Sequence, residues 1–299
     1  MCRHLAYLGP PRSLAELLTT PPHSLYEQAW TPRHQAGGTV NADGFGIGWY
    51  PPGDGAGPVR YRRAVPVWAD ANLPGLAGLL HSGAVLAAVR SATPGCGLDE
   101  SASAPFALGR WLFSLNGRID RWEHLPADLG EVPTSAELLG IEGRCDAALV
   151  WLLLARRLVA GESAGAALAE LVPRIAAVRP TARLNLLLTD GHTVTATRHG
   201  DSLWYRPADT DQGADTDQAA DEGQAGDAVP ADDADPADDA DPADRDSDGA
   251  KLIVASEPVP GQPGWREVPD HSLLRASRTS ATVEPLPPHA TGPPPRPAP

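Results

Sequence analysis

The sequence predicts a layered α+β domain, and three features point there. Short runs rich in Val, Ile, Leu, Tyr and Trp recur between Gly, Pro, Asn or Asp, the pattern of strands closed by turns. Two long helical patterns follow one another instead of alternating with strands. No G-x-G-x-x-G follows a strand and no P-loop occurs, so a doubly wound nucleotide-binding sheet has no support and no nucleotide cofactor is expected.

In chain order, "CRHLAYLG" is the first apolar strand, and "SLAELL" at 13–18 reads as a helix capped by Ser13. "GFGIGWY" and "VRYRRAV" follow. Glycine weakens strand pairing, so its recurrence through "NADGFGIGWY" (41–50) marks a strand that another group approaches closely. "AVLAAVRSA" and "RWLFSLNG" are buried strands. "CDAALVWLLLARRLVAG" (145–161) and "SAGAALAELVPRIAAVR" (163–179) are the long helices, the second expected to break or kink near Pro173. "RLNLLLTD", "TVTATRH", "SLWYR" and, far downstream, "KLIVASEP" (251–258) complete the strands.

Charge divides the chain. Of the net −14, residues 207–250 alone carry −15, from sixteen acidic residues and one Arg in A-D-P-A-D repeats, which leaves +1 for everything else. Such a stretch buries no core and is expected to be a disordered insertion that says nothing about the substrate. The Pro-rich tail 287–299 is expected to be disordered as well. The piece 251–286 is too short to stand alone, so 1–206 and 251–286 are expected to form one domain.

Cys2, Cys96 and Cys145 are too few and too scattered for a disulfide framework, and none forms a C-x-x-C pair, which fits a reducing compartment. The most apolar run, "AALVWLLLA" (147–155), is far short of a membrane span, and no basic-then-apolar leader opens the chain. A cytoplasmic protein is expected, with neither membrane nor nucleic acid as partner. His4, His23, His81 and His199 show no metal-ligand spacing, so no metal is expected; oligomeric state stays open.

Cys2 directly follows the initiator Met, so methionine removal would place a thiol and a free α-amine on one residue. The thiol titrates near pKa 8.5 and the amine at roughly 7.7–8.0, so the amine is partly neutral and able to take the thiol proton. Arg90 ends an apolar strand where a turn begins. Asn116-Gly117 ends another, and Asp146 opens a helix. Each has an ordinary alternative: an ion pair for Arg90, a hairpin turn for Asn116-Gly117, a helix cap for Asp146. Cys96 and Cys145 read as structural.

Cys2-Arg3, "NADGFGIGWY", "VRSATPG", "SAPF" before "GRWLFSLNG", "RLNLLLTDG" and "GDSLWY", in this order, resemble class II glutamine amidotransferases. Within that family "MCRHL", "PPHSL", "NADGFG", "VRSAT" and "GRWLFSLNG" are most similar to its γ-glutamyl-hercynylcysteine sulfoxide hydrolase branch. The resemblance implies a four-layer αββα Ntn-hydrolase sandwich and a small γ-glutamyl substrate, cleaved to glutamate without a cofactor. It implies Cys2 as nucleophile with its own α-amine as base, and Asn116 and Gly117 as oxyanion donors. Arg90 would take the substrate α-carboxylate and Asp146 its α-ammonium. Leu115 and Pro94 stand where the family often carries His. If the leaving group bears a trimethylammonium, Trp30, Trp49 or Trp68 are candidates for an aromatic face. Two further functions fit the same residues: a glutaminase feeding ammonia to a separate synthase, and a non-catalytic Ntn-fold binding protein.

Overall fold

The computed structural model describes residues 2–35, 38, 40–53, 57–207 and 249–288. Met1, most of the acidic stretch 207–250 and most of the tail 287–299 lie outside the described residues. The first half runs β1 (Arg3–Ser13), α1 (Leu14–Leu18), α2 (Leu25–Gln28), β2 (Phe45–Trp49), β3 (Val59–Arg63), α3 (Leu73–Leu79) and β4 (His81–Val89). Next come β5 (Phe106–Leu108), β6 (Trp111–Arg118), α4 (Leu125–Leu129), α5 (Ser135–Leu139), α6 (Asp146–Val159) and α7 (Ala164–Val178). β7 (Arg183–Thr189), β8 (Thr193–Arg198), β9 (Trp204–Arg206), β10 (Leu252–Ala255), β11 (Arg266–Glu267), β12 (Ser272–Ser277) and β13 (Ala281–Pro285) close the chain.

Two antiparallel sheets result. One has the order β11-β9-β10-β1-β4-β2-β3 and the other β13-β12-β8-β7-β6-β5. The fold is α+β. The downstream strands enter both sheets: β10 pairs with β1 through Leu5↔Ala255, and β12 pairs with β8 through Leu274↔Ala196.

Three apolar clusters explain why the central strands lack the usual one-sided alternation. In β1, Leu5 and Tyr7 join a cluster with Leu14 and Leu17 of α1, whereas Ala6 and Leu8 join Leu112 of β6 and Leu187 of β7. The strand is apolar on both faces because both faces are covered. β6 behaves likewise, with Leu112 turned to the other sheet and Phe113 stacked on Trp151 of α6 at 5.2 Å. Each such fully buried Leu or Phe contributes about 1.5–3 kcal/mol.

Helix starts follow their capping residues. Ser13 and Glu16 form a reciprocal capping box at α1, as the Ser13 reading anticipated, and Ser163 caps α7. α7 does not break at Pro173; it runs on to Val178. Leu171, Val172 and Ile175 are fully buried around the proline, and their burial offsets the roughly 3 kcal/mol that an interior proline costs. β5, β11, β12 and β13 are absent from the strands read in the sequence; β5 and β11 have only three and two residues and β13 is largely exposed, whereas β12 is buried. Among the described residues no helix is long and apolar enough to cross a membrane.

The glycine-rich strand β2 is a site of close approach. A Cβ on Gly46 would overlap the Ala104 carbonyl oxygen, and one on Gly48 would lie 2.7 Å from Leu112 Cδ1 and 2.9 Å from Pro105 Cγ. Gly78, exposed in α3, has open space around it. Gly46→Ala is therefore predicted to destabilise by about 1–3 kcal/mol, and Gly78→Ala to stabilise by about 0.4–1 kcal/mol. Urea unfolding of both variants beside the parent checks the opposite signs.

Candidate active site

The β1–β4 register builds the centre of the site. Arg3 pairs with Val89, so Cys2, one residue before β1, and Arg90, one residue after β4, emerge side by side from the same end of the sheet. Cys2, Arg90, Thr93, Gly117, Cys145 and Asp146 all line one cavity. Cys2 Sγ lies 3.7 Å from the Ser91 carbonyl. Burial pushes the Cys2 thiol above its ordinary value, and the Arg90 charge works against that push.

Arg90 locks two loops. Its N–H donates to Gly44 O at 2.8 Å, its Nη2 to Gly97 O at 2.8 Å and its Nη1 to Asp43 O at 3.4 Å. Asp43 answers by donating its N–H to Arg90 O at 2.9 Å and accepting the Ala92 N–H on Oδ2 at 2.8 Å. The next four residues form a turn closed by Cys96 N–H to Thr93 O at 3.0 Å, with Gly95 at φ +87°. Pro followed by a positive-φ Gly is what a type II turn requires, which gives Pro94 a local role.

That turn delivers Thr93 to Asp146. Thr93 Oγ1 donates to Asp146 Oδ2 at 2.7 Å, and the Ile119 N–H reaches the same oxygen at 3.1 Å. Asp146 is not the cap of α6. Cys145 is, its sulfur accepting the Ala148 N–H at 3.4 Å, and Asp146 is the first helical residue with its own Oδ1 on Ala147 N–H at 2.9 Å. Burial raises the Asp146 acid above its ordinary value despite these bonds and the nearby Arg90. Burial likewise pushes the thiols of Cys96 and Cys145 up to about 12, which leaves them unreactive at neutral pH.

Asn116 and Gly117 do not form a hairpin turn. They sit inside β6, paired with Asn185 and Leu184 of β7, and a Cβ on Gly117 would overlap the Arg183 carbonyl oxygen. The Asn116 amide places its nitrogen against the Cys2 carbonyl, while its oxygen accepts from Arg3 Nη1 at 3.1 Å and Ser256 Oγ at 3.0 Å. Leu115 and Gly117 lie on the opposite face of β6 from Asn116; Leu115 packs in the helix-side core and lines the Cys2 cavity, which the Asn116 side chain does not.

Sequence reasoning missed the charges behind these residues. Arg3 is 0% exposed, with Nε 3.3 Å from Glu257 Oε1. Glu257 also receives His23 Nε2 at 2.6 Å and the N–H groups of Arg33 at 2.8 Å and His34 at 3.1 Å. Burial alone would raise the Glu257 acid, but the hydrogen bond from His23, the two from the backbone and the Arg3 charge hold it below the usual carboxylate range. The available signal was an acid directly after the apolar run "LIVAS". Thr93 and Asp43 stood inside quoted motifs without an assigned task. Trp30 and Trp68 meet edge-to-face at 5.5 Å, and Trp49 packs on the helix-covered face of β2; none of the three lines the Cys2 cavity. Among the described residues no group of three or more His, Cys, Asp and Glu could hold a metal ion.

No protein-family model matches the chain. Over 289 residues it is 35% identical to the γ-glutamyl-hercynylcysteine sulfoxide hydrolase of Mycolicibacterium smegmatis, spanning 96% of this chain and 100% of that protein. The Mycobacterium tuberculosis protein of the same name is 34% identical over 286 residues, 96% of this chain and 97% of the relative. Among solved structures, a glutamine aminotransferase class-II domain protein from Silicibacter pomeroyi superposes with a TM-score of 0.59 at 21% identity, covering 96% of this chain and 100% of that one. The fold is thus the class II glutamine amidotransferase fold.

His4 generates a prediction from the geometry. It is fully buried, bridges the two sheets through Nδ1 to Ser114 Oγ at 3.3 Å, and is pushed down to about 3 by burial and by Arg3. An unfolded His takes a proton below about 6.5, whereas this one stays neutral in the folded chain until about 3. Between those values the unfolded state binds more protons, so stability is lost as the pH falls, by about 1.4 kcal/mol per unit from this group. Urea unfolding at pH 7 and pH 5 is predicted to show a smaller loss in His4→Gln than in the parent.

Proposed function

Because the chain belongs to the γ-glutamyl-hercynylcysteine sulfoxide hydrolase family, we propose that it hydrolyses the γ-glutamyl amide of that sulfoxide to glutamate and hercynylcysteine sulfoxide, through a thioester on Cys2. The observation that carries this reading is the single cavity gathering Cys2, Arg90, Gly117 and Asp146. A cation and an anion beside one nucleophile suit a substrate end that carries both an α-carboxylate and an α-ammonium. The two sheets with helices packed outside them support the four-layer αββα Ntn-hydrolase architecture.

In this mechanism removal of Met1 exposes the Cys2 α-amine, which takes the thiol proton. The thiolate attacks the γ-carbonyl carbon. Arg90, with two of its five N–H donors on Gly97 and Asp43, keeps donors for the α-carboxylate. Asp146, held by Thr93 and Ile119, takes the α-ammonium. The Asn116 amide and the Gly117 N–H receive the negative charge that develops on the carbonyl oxygen. Collapse breaks the C–N bond and the amine leaves with a proton; water then cleaves the thioester to glutamate and the free thiol.

Glutamate release from γ-glutamyl-hercynylcysteine sulfoxide and, in parallel, from glutamine tests the reading. Turnover of the sulfoxide in preference to glutamine, abolished by Cys2→Ala, is the predicted result; preference for glutamine would assign an ammonia donor, and release from neither would end the enzyme reading. Asn116→Ala is predicted to lower kcat by about 10²–10³ with a smaller change in KM, because its amide acts on charge that exists only in the transition state. Arg90→Lys is predicted to act mainly on KM, since a point charge cannot replace the planar fork.

A further inference from the structure

Asp201 is a buried acid outside the machinery described so far. It lies between β8 and β9, 3% exposed, and neither carboxylate oxygen has a hydrogen-bond partner. An unpaired carboxylate of this kind is costly to bury, so its position asks for a donor. Contacts show where it stands. Asn185, opposite Asn116 across β6 and β7, donates to the carbonyls of Asp201 and Ser202, each at 3.0 Å. Ser202 Oγ donates to Ser256 O at 2.8 Å, and Ser256 Oγ in turn meets the His4 N–H and the Asn116 amide, both at 3.0 Å. These contacts ring the amino-terminal end of β1, where Cys2 begins.

The charges acting on Asp201 agree with that placement. Burial raises its acid, and Arg183 of β7 and Arg3 of β1 pull it down, while Asp270 from the loop before β12 opposes them. Arg198 directs Nε to the Asp201 carbonyl at 3.0 Å, and His199 packs edge-to-face on His271 at 4.5 Å. We infer that Asp201 is a positioning residue for the nucleophile: it holds the α-amine that Met1 removal exposes on Cys2 and stabilises the ammonium formed when that amine takes the thiol proton.

The inference rests on Cys2 acting as an N-terminal nucleophile. The S–H bond breaks, the proton goes to the amine nitrogen, and the electron pair stays on sulfur as the thiolate. When the tetrahedral intermediate collapses, the ammonium returns its proton to the departing nitrogen, and Asp201 remains a carboxylate throughout. Arg3, the buried cation that directly follows Cys2 and interacts electrostatically with it, opposes the ammonium and keeps the amine from being locked in its charged form at neutral pH.

Asp201→Asn keeps the shape and removes the charge. The test follows Cys2 alkylation by iodoacetamide from about pH 5 to 9, with peptide mapping to separate Cys96 and Cys145, beside intact mass, urea stability and the pH profile of kcat/KM. Without the carboxylate, the acid limb of alkylation should move to lower pH and the neutral-pH rate should fall about tenfold, the effect of one lost unit of charge stabilisation, while stability stays equal or rises. A limb and rate left in place, or a loss that tracks unfolding, overturns the inference. Alkylation needs no substrate, so absent turnover in the parent would sink the substrate assignment alone; Met1 retained on the parent would sink both.

Discussion

The antiparallel pairing of β1 with β4 is the constraint on which the rest depends. It carries Cys2 and Arg90 out of the sheet together, and a slip of one residue would turn every β1 side chain to the opposite face. Leu5 and Tyr7 would then face the other sheet while Ala6 and Leu8 met the helices. Because β1 and β4 are buried on both faces with residues of different size, each face accepts only its own set, and core packing thereby fixes the geometry of the site.

Around that pair, the site consists of short loops held by charge-assisted hydrogen bonds, and almost none of these charges is exposed. Asp43 and Arg90 clamp two loops to each other; Thr93 and Ile119 aim Asp146; Arg3 and Glu257 anchor the Asn116 amide to the segment after α2. Asp146 and Glu257 each have several donors, so removing one partner disturbs a buried charge and costs more than the bond was worth. The arrangement is preorganised: charges that a substrate would meet are already oriented before it arrives.

Much of this was legible because it is local. The nine strands read from apolar runs are present, α1 starts at its Ser13 cap, and the glycines of "GFGIG" do mark close backbone approach, to Ala104, Pro105 and Leu112. The break expected at Pro173 does not occur because an interior proline is a local penalty, and the burial that outweighs it is supplied by strands far away in sequence. Trp30, Trp49 and Trp68 lie outside the lining of the Cys2 cavity for a similar reason: residue type is readable, whereas distance from the cavity is not.

The sequence by itself determined nine of the thirteen strands, the helices α1, α6 and α7, the α+β class and the four elements that bring Cys2, Arg90, Asn116-Gly117 and Asp146, since each depends on patterns within a few residues. Tertiary structure alone decided that Asn116-Gly117 lies within a strand instead of a turn, that Cys145 and not Asp146 caps α6, and that Thr93, Arg3, Glu257 and Asp201 belong to the same region. Those facts turn on contacts between residues up to 254 positions apart, as in Arg3 with Glu257. Electrostatic partnership depends on distance and burial in the fold, and neither is encoded in the spacing of a linear motif.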